Sequence, residues 1–319
     1  MTTSNSSNTP SAPSPSTTVP TRKDVAIFSD FDGTIFLQDT GHVLFDRHGC
    51  GKERREVLDG QINSGERSFR DVSEEMWGSL NVPFDKSMQA MKEHLEIDPD
   101  FHDFHDFCDR EGISFSVVSA GIKPVLRGVL NQFLGHSKAN RIDILSNDAH
   151  INHDGSSWKV LWRHDTSLGH DKSLTIKECR ALYRKSLPAN TNPLIIFIGD
   201  GVSDLPAARE ADVLFARSGL RLEEYCLEHK IDYIPYNSFA DIQREVSRIL
   251  DSGDLERFKK PANRQQNKLQ KHHSSFIAGL GARRHFLGAS VETRSKSRRT
   301  DKAHMSPLSA RFGQSITIA

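Results

Sequence analysis

Apolar residues recur along this chain in two rhythms, and each change of rhythm marks an element. Residues 25–29, Val-Ala-Ile-Phe-Ser, are apolar and partly β-branched, which predicts a buried strand. From Leu37 to Asp98 the spacing becomes helical, carried by Val43 and Leu44, Val57 and Leu58, then Phe69, Val72, Met76 and Leu80, then Met88, Met91 and Leu95. Gly60, Gly65 and Asn81-Val82-Pro83 punctuate it. After Asp98-Pro99 strands and helices alternate. Phe101, Phe104, Phe107 and Cys108 predict a helix ending near Gly112. Residues 115–119 predict a strand and Ala120-Gly121 a tight turn, with Pro124 near the start of a helix through Phe133. A strand at 142–145, itself followed by a turn and a helix, comes next. Residues 149–162, centred on His153-Asp154-Gly155, read as a hairpin. A helix over 173–185, the apolar strand 194–198, a helix through Ala208, a short strand at 213–215 and a helix over 239–250 complete the pattern.

This alternation predicts an α/β fold, a Rossmann-like doubly wound and mainly parallel sheet. Residues 24–36 and 99–250 would form its core, and the helical segment 37–98, inserted after the first strand, would lie over the strand ends as a cap.

Composition changes the picture at the two ends. Hydrophobic residues make up only 36% of the 319, and the mean hydropathy is −0.53, so part of the chain is expected to lack a packed core. Residues 1–23 are rich in Ser, Thr, Pro and Asn and read as a disordered tail. The 42 basic and 42 acidic residues cancel overall, but 14 and 5 of them fall in residues 251–319, leaving 28 and 37 for residues 1–250. That charge split predicts an acidic body with a disordered basic tail. The tail has few aromatic residues to stack bases, so nothing beyond nonspecific nucleic-acid contact is expected of it. Cys50, Cys108, Cys179 and Cys226 are far apart and form no CxxC pair, which argues against a disulfide framework or zinc site and suits a reducing compartment. No apolar run has the length of a membrane span and no secretory signal opens the chain, so the cytoplasm is the expected location.

The chemistry gathers at strand ends. Asp30 and Asp32 stand two apart just where Gly33 breaks the first strand, so both carboxylates would face a site beyond its carboxyl end. Two acids so close need a cation or a shared proton. Ser119 ends another strand before a helix start, an arrangement that can cradle an oxyanion or phosphate. Lys172, after Gly169-His170-Asp171, is a point cation able to hold phosphate and offset crowded acids. Asp200 and Asp204, in Gly199-Asp200-Gly201-Val202-Ser203-Asp204, follow the most apolar strand and suit an oxygen-ligand site for Mg²⁺.

These four pieces, Asp30-x-Asp32-Gly33-Thr34, Ser119, Lys172 and Gly199-Asp200-x-x-x-Asp204, resemble the motifs of haloacid dehalogenase superfamily phosphatases. The resemblance covers residues 24 to about 250. It implies that Asp30 is the nucleophile and forms an aspartyl-phosphate, and that Asp32 is the general acid and then base. Mg²⁺ would be held by Asp30, the Asp32 carbonyl and Asp200, with Asp204 supporting the metal shell. Ser119 and Lys172 would bind the transferring phosphoryl group, with Gly33, Thr34, Asp39, Ala120 and Gly121 as further phosphate or substrate contacts. The helical insert resembles that of the phosphoserine phosphatase group, but Asp39 takes the place of a glutamate and Met76 that of an arginine which there serve the amino acid. Ala120 likewise replaces a glycine. The segments 115–119, 198–204, 214–217 and 234–236 with Phe239 resemble the methionine-salvage branch, which acts on 2-hydroxy-3-keto-5-methylthiopentenyl-1-phosphate. The expected activity is Mg²⁺-dependent hydrolysis of a small-molecule phosphate ester. A phosphoserine phosphatase and a silent phosphate-binding regulator are the alternatives.

Overall fold

In the computed structural model, which describes residues 22–189 and 191–258, seven strands form one sheet in the order β4-β3-β2-β1-β5-β6-β7. β1 (Arg22–Ser29) lies at its centre and pairs parallel with β2 (Ile113–Ile122) and β5 (Leu194–Gly199). β3 (Asp143–Ile151) extends one side; β6 (Val213–Arg217) and β7 (Ile234–Tyr236) extend the other, all parallel. β4 (Trp158–Leu161) runs antiparallel to β3. Later strands are added first on one side of β1 and then on the other. The carboxyl end of β1 is therefore the switch point where open α/β sheets form a crevice.

Alternation along β1 divides the core. Val25 and Ile27 face one layer with α5 (Phe101–Glu111), α6 (Lys123–Leu134), the short α7 (His136–Ala139) and α11 (Phe239–Asp251). Ala26 and Phe28 face the other, with α8 (Lys172–Lys185), α9 (Leu205–Glu210) and α10 (Arg221–His229). β5, covered on both faces, is buried at every position.

Four helices lie between β1 and α5: α1 (Thr40–His48), α2 (Lys52–Ser64), α3 (Phe69–Gly78) and α4 (Phe84–His94). Asp39 caps α1 by accepting from the His42 N–H at 2.7 Å, and Ser68 caps α3 by accepting from Asp71 N–H at 3.1 Å. Gly65, at φ +71°, closes α2 in the left-handed conformation that a β-carbon disfavours. Leu44, Leu58, Val72 and Met91 are buried, whereas Val57, a helical position with Leu58 in the sequence pattern, is 52% exposed. The two connections to this insert run side by side, with Leu37 N–H donating to Glu96 O at 2.9 Å and Asp98 N–H to Ile35 O at 2.8 Å. Arg217, at the end of β6, reaches both, donating to Thr34 O at 2.7 Å and Asp98 Oδ2 at 2.9 Å.

The β3–β4 hairpin supports the insert from below. Trp158 Nε1–H donates to Val82 O at 3.0 Å, and the Trp158 ring stacks on Trp77 at 6.4 Å. Gly155 comes so close that a β-carbon there would lie 2.1 Å from the Val82 carbonyl carbon.

Several expected elements differ. No turn and helix follow Leu145; β3 continues to Ile151 and pairs Ala149, His150 and Ile151 with Val160, Lys159 and Trp158. The polar run Ser146-Asn147-Asp148 resembles a turn, yet Asn147 is fully buried because its amide group has partners inside the fold. β2 also runs through Ala120-Gly121 to Ile122, with a slip in its pairing to β3 between Val118 and Ile122, so those residues form a bulged strand end instead of a tight turn. Beyond α11, Leu255 and Phe258 still pack against the core. The disordered tails expected at the two ends fall, for residues 1–21 and 259–319, outside the described residues.

Candidate active site

Asp30 and Asp32 emerge from β1 at the switch point and are buried, at 2% and 6% exposure. Asp30 N–H continues the ladder by donating to Ile198 O at 2.9 Å, and Asp30 Oδ1 accepts from Phe31 N–H at 2.6 Å. Gly33 then turns the chain at φ +74°, and a β-carbon there would lie 2.3 Å from Asp200 Oδ2. Only glycine lets the two strand ends approach so closely. Thr34 secures the approach by donating its hydroxyl to Asp200 Oδ1 at 2.8 Å.

Lys172, the first residue of α8, carries the charge balance. Its Nζ lies 2.7 Å from Asp30 Oδ2 and 2.8 Å from Asp204 Oδ1, and the side chain is 2% exposed. Asp171 caps the helix by accepting from Ser173 N–H at 2.8 Å, which fixes where the lysine begins. Asp204 Oδ2 accepts from Asp200 N–H at 3.0 Å and Gly201 N–H at 3.1 Å, so both of its oxygens serve the protein. Oxygens of Asp30, Asp200 and Asp204 lie within 4.8 Å of one another. Burial, reinforced by Asp204, raises Asp30 well above the usual carboxylate range and Asp200 to about 7. Burial disfavours the Lys172 ammonium, but Asp204 and Asp30 outweigh it and hold it above its ordinary value. Three crowded acids with one lysine fit a hard divalent cation, which oxygen ligands suit and which would relieve the excess negative charge.

Asp32 is turned differently. Its Oδ1 accepts from Thr40 N–H, at the start of α1, at 2.8 Å. Its carboxyl group is raised well above the usual range, first by burial and then by Asp39. The two acids of the strand end therefore have separate surroundings, one facing the lysine and the other facing the insert.

Ser119 is 1% exposed on the bulged end of β2, and its Oγ accepts from Gly121 N–H at 3.0 Å. It does not cap α6, since Ile122 occupies the N-cap position. A buried network holds this bend. His170 Nδ1–H donates to Ser119 O at 2.6 Å, and its Nε2 accepts from the Thr175 hydroxyl at 2.8 Å. Asn147 donates to Ala120 O at 2.8 Å and accepts from Arg163 N–H at 3.0 Å. Burial lowers His170 to about 3, so the ring is neutral and keeps one donor and one acceptor.

Two spaces meet at this site. A narrow cavity of about 50 Å³ lies over Asp30, Asp32, Ser119 and Lys172, and its outer wall comes from the insert. An open cleft of about 980 Å³ extends from Asp32, Gly33 and Asp200 toward α1, α4 and α10. Asp32, Asp39 and His42 border both. Of the residues singled out in the sequence, Asp30, Asp32, Asp39, Ser119, Ala120, Gly121 and Lys172 line the inner cavity. Gly33 and Asp200 line the cleft, while Thr34 and Asp204 act from behind through hydrogen bonds. Met76 stands in the inner wall. Sequence reading missed His42, Asp59, Asn147 and the tie from Arg217 to Thr34 and Asp98, and it did not assign His170 a part. They lie on separate elements with no shared spacing, and only the adjacency of His170 to Lys172 could have pointed to one of them.

The family model for haloacid dehalogenase-like hydrolases matches residues 27–209. The chain belongs to that family. It is 38% identical over 231 residues to Pdp3-interacting factor 1 of Schizosaccharomyces pombe, covering 72% of this chain and 98% of that protein. It is 35% identical to polyol phosphate phosphatase PYP1 of Saccharomyces cerevisiae, over 70% of this chain and 93% of the relative. The 2-hydroxy-3-keto-5-methylthiopentenyl-1-phosphate phosphatase of Bacillus cereus is 29% identical, over 71% and 98%. A substrate-bound phosphoserine phosphatase structure shares the fold, with a TM-score of 0.53 and 16% identity over 70% of this chain and 99% of that one. The chain is a hydrolase of the phosphatase type within this family. Among the described residues no helix is long and apolar enough to cross a membrane.

Proposed function

We propose that the protein is a Mg²⁺-dependent phosphatase that hydrolyses small phosphomonoesters through an aspartyl-phosphate on Asp30. The observation that carries this reading is Lys172 bridging Asp30 and Asp204 beneath a cavity that also exposes Asp32 and Ser119. An Asp30 carboxylate oxygen attacks phosphorus, and the ester P–O bond breaks as Asp32 gives its proton to the leaving alkoxide. The raised position of Asp32 keeps a proton available for that step. Water then attacks the aspartyl-phosphate and passes a proton to Asp32, which frees inorganic phosphate and restores Asp30. Lys172 and Ser119 hold the phosphoryl oxygens during both displacements, in keeping with a reaction that depends on positioning and charge neutralisation. Asp30, the Asp32 carbonyl and Asp200 would hold Mg²⁺, with Asp204 keeping their loop in shape; the ion would supply charge neutralisation at the phosphoryl group. Helices α1–α4 act as the cap that closes the site from water.

The substrate class that fits is an ester with a neutral, hydroxylated alcohol. The name of the yeast relative, polyol phosphate phosphatase, supports it, and so does the inner cavity, whose lining offers acids, a histidine and aromatic carbon. Phosphoserine fits less well, because its carboxylate calls for a cation and Met76 occupies the wall where an arginine would serve it. Cys108 and Cys179 are buried thiols outside any disulfide, which supports a cytoplasmic setting. The test is phosphate release from a panel of polyol phosphates, 2-hydroxy-3-keto-5-methylthiopentenyl-1-phosphate and phosphoserine, with Mg²⁺ or with EDTA. Release that EDTA abolishes and Mg²⁺ restores is expected. A folded protein inert toward every ester overturns the reading.

A further inference from the structure

We propose that His42 and Asp59 form the specificity-determining pair of the site, binding hydroxyl groups of the leaving alcohol and selecting neutral polyhydroxylated esters over carboxylate-bearing ones. The proposal rests on the phosphatase reading above and assigns its selectivity to residues outside the strand ends.

His42 sits in the first turn of α1 and Asp59 on α2, and both line the inner cavity. His42 Nε2 lies 3.8 Å from Asp59 Oδ2, too far for a direct hydrogen bond, so each keeps capacity for a third group. Both are held from outside the cavity. The His42 backbone is tied by Asp39 Oδ1, and Asp59 Oδ2 accepts from Arg55 Nη1 at 2.9 Å. Arg55 in turn gives Nε and Nη2 to Asp46 at 2.7 and 3.1 Å. The guanidinium is thereby shared between two carboxylates and does not line the cavity. Asp59 itself is raised above the usual carboxylate range, first by burial.

The charges around the inner cavity decide what it accepts. Asp30, Asp32, Asp39 and Asp59 face it, and the one lysine of its lining, Lys172, is already bridged to Asp30 and Asp204. A carboxylate on the leaving group would meet acids with no unshared lysine or arginine to offset them, a repulsive element that excludes it. A hydroxyl, in contrast, can donate to an acid and accept from an imidazole N–H. Phe69, Met76 and Trp77 on the facing wall supply a carbon surface for the alkyl chain of the alcohol. Sites that hydrogen-bond a substrate hydroxyl discriminate strongly, because its absence leaves buried polar groups unpaired.

The experiment compares kcat/KM for a sugar-alcohol phosphate with kcat/KM for phenyl phosphate, whose leaving group carries no further hydroxyl. In His42→Gln and Asp59→Asn the polyol-to-phenyl ratio is expected to fall about tenfold or more, as loss of a hydrogen bond to a charged or buried partner implies. Melting curves verify that each variant folds. A measurement on the unaltered protein guards against variants that do not: free polyols should inhibit phenyl phosphate hydrolysis competitively and more strongly than their carboxylate counterparts, such as glycerol against glycerate. A ratio within about twofold of wild type in both folded variants overturns the proposal, as does glycerate inhibiting as well as glycerol. Either result leaves the phosphatase reading standing. A wild type inert toward all esters overturns that reading and this proposal together.

Discussion

At the strand ends, Asp30 and Asp204 close around Lys172, with Asp200 beside them, and most of their oxygens are already hydrogen-bonded or ion-paired. In the insert, Asp39, His42 and Asp59 stand around open space, with His42 Nε2 and Asp59 Oδ2 3.8 Å apart. The two regions enclose the same cavity, yet their acids are stabilised differently. The first set is crowded and compensated by a buried lysine, as the proposed binding of a phosphoryl group common to every substrate requires. The second is held from behind by Arg55 and a helix start, which leaves its inner faces open to the alcohol that is proposed to match them. Damage to the first region should therefore remove activity toward all esters, and damage to the second should change which ester is preferred.

The largest effect tests the first half of that contrast. Asp30→Asn removes the proposed nucleophile, and phosphate release should fall by about 10⁴-fold or more for every ester, with the melting temperature retained. Equal activity in the variant would show that the nucleophile lies elsewhere. Lys172→Ala should be next, since it leaves Asp30 and Asp204 buried without their cation. A stability loss of about 3–5 kcal/mol in urea unfolding is expected, alongside loss of activity. If stability is unaffected, the lysine is not the counter-charge of Asp30 and Asp204.

The network behind Ser119 predicts a pH effect. Burial depresses His170 from 6.5 to about 3 in the folded state, so the unfolded chain binds a proton that the folded one refuses. Its contribution to stability is present above about pH 6.5 and declines as pH falls toward 3, by about 5 kcal/mol in all. His170→Gln, which keeps a donor and an acceptor, should flatten that part of the stability–pH curve; an unchanged slope would rule His170 out as its source. In the insert, Met76→Arg places a cation in the wall of the inner cavity. The ratio of kcat/KM for phosphoserine to that for a polyol phosphate should rise about tenfold, with little difference if carboxylates are excluded by something other than charge. The smallest effect concerns the contact between the insert and the β3–β4 hairpin that supports it. Trp158→Phe deletes the hydrogen bond to Val82 O and should cost about 1 kcal/mol in urea unfolding.

Much of the strand-end region could be read from residue order. Asp30, Asp32, Gly33 and Thr34 are contiguous, as are Asp200 and Asp204 within one loop, and a short span leaves little freedom in where such side chains go. Ser119 and Lys172 were legible by type and by their positions at a strand end and a helix start. The insert shows the opposite. Its helices were evident in the spacing of Leu44, Leu58, Val72, Met76 and Met91, but that periodicity reports which face is buried, not which polar residue meets another. Asn147 shows the same gap within the sheet, where a polar run that reads as a turn is strand with Ser146 and Asn147 buried.

By itself, then, the amino-acid sequence determined the alternating α/β core, the helical insert after β1, and the acids, serine and lysine that meet at the strand ends and are proposed as the phosphoryl site. These follow from periodicity and from close spacing, which local geometry translates directly into direction. Tertiary structure alone decided that Asp32 turns to Thr40 while Asp30 turns to Lys172, that His170 holds the Ser119 carbonyl, and that His42 and Asp59 face one cavity. Those pairings join residues from different elements, and only the packing of one layer against another brings them within reach.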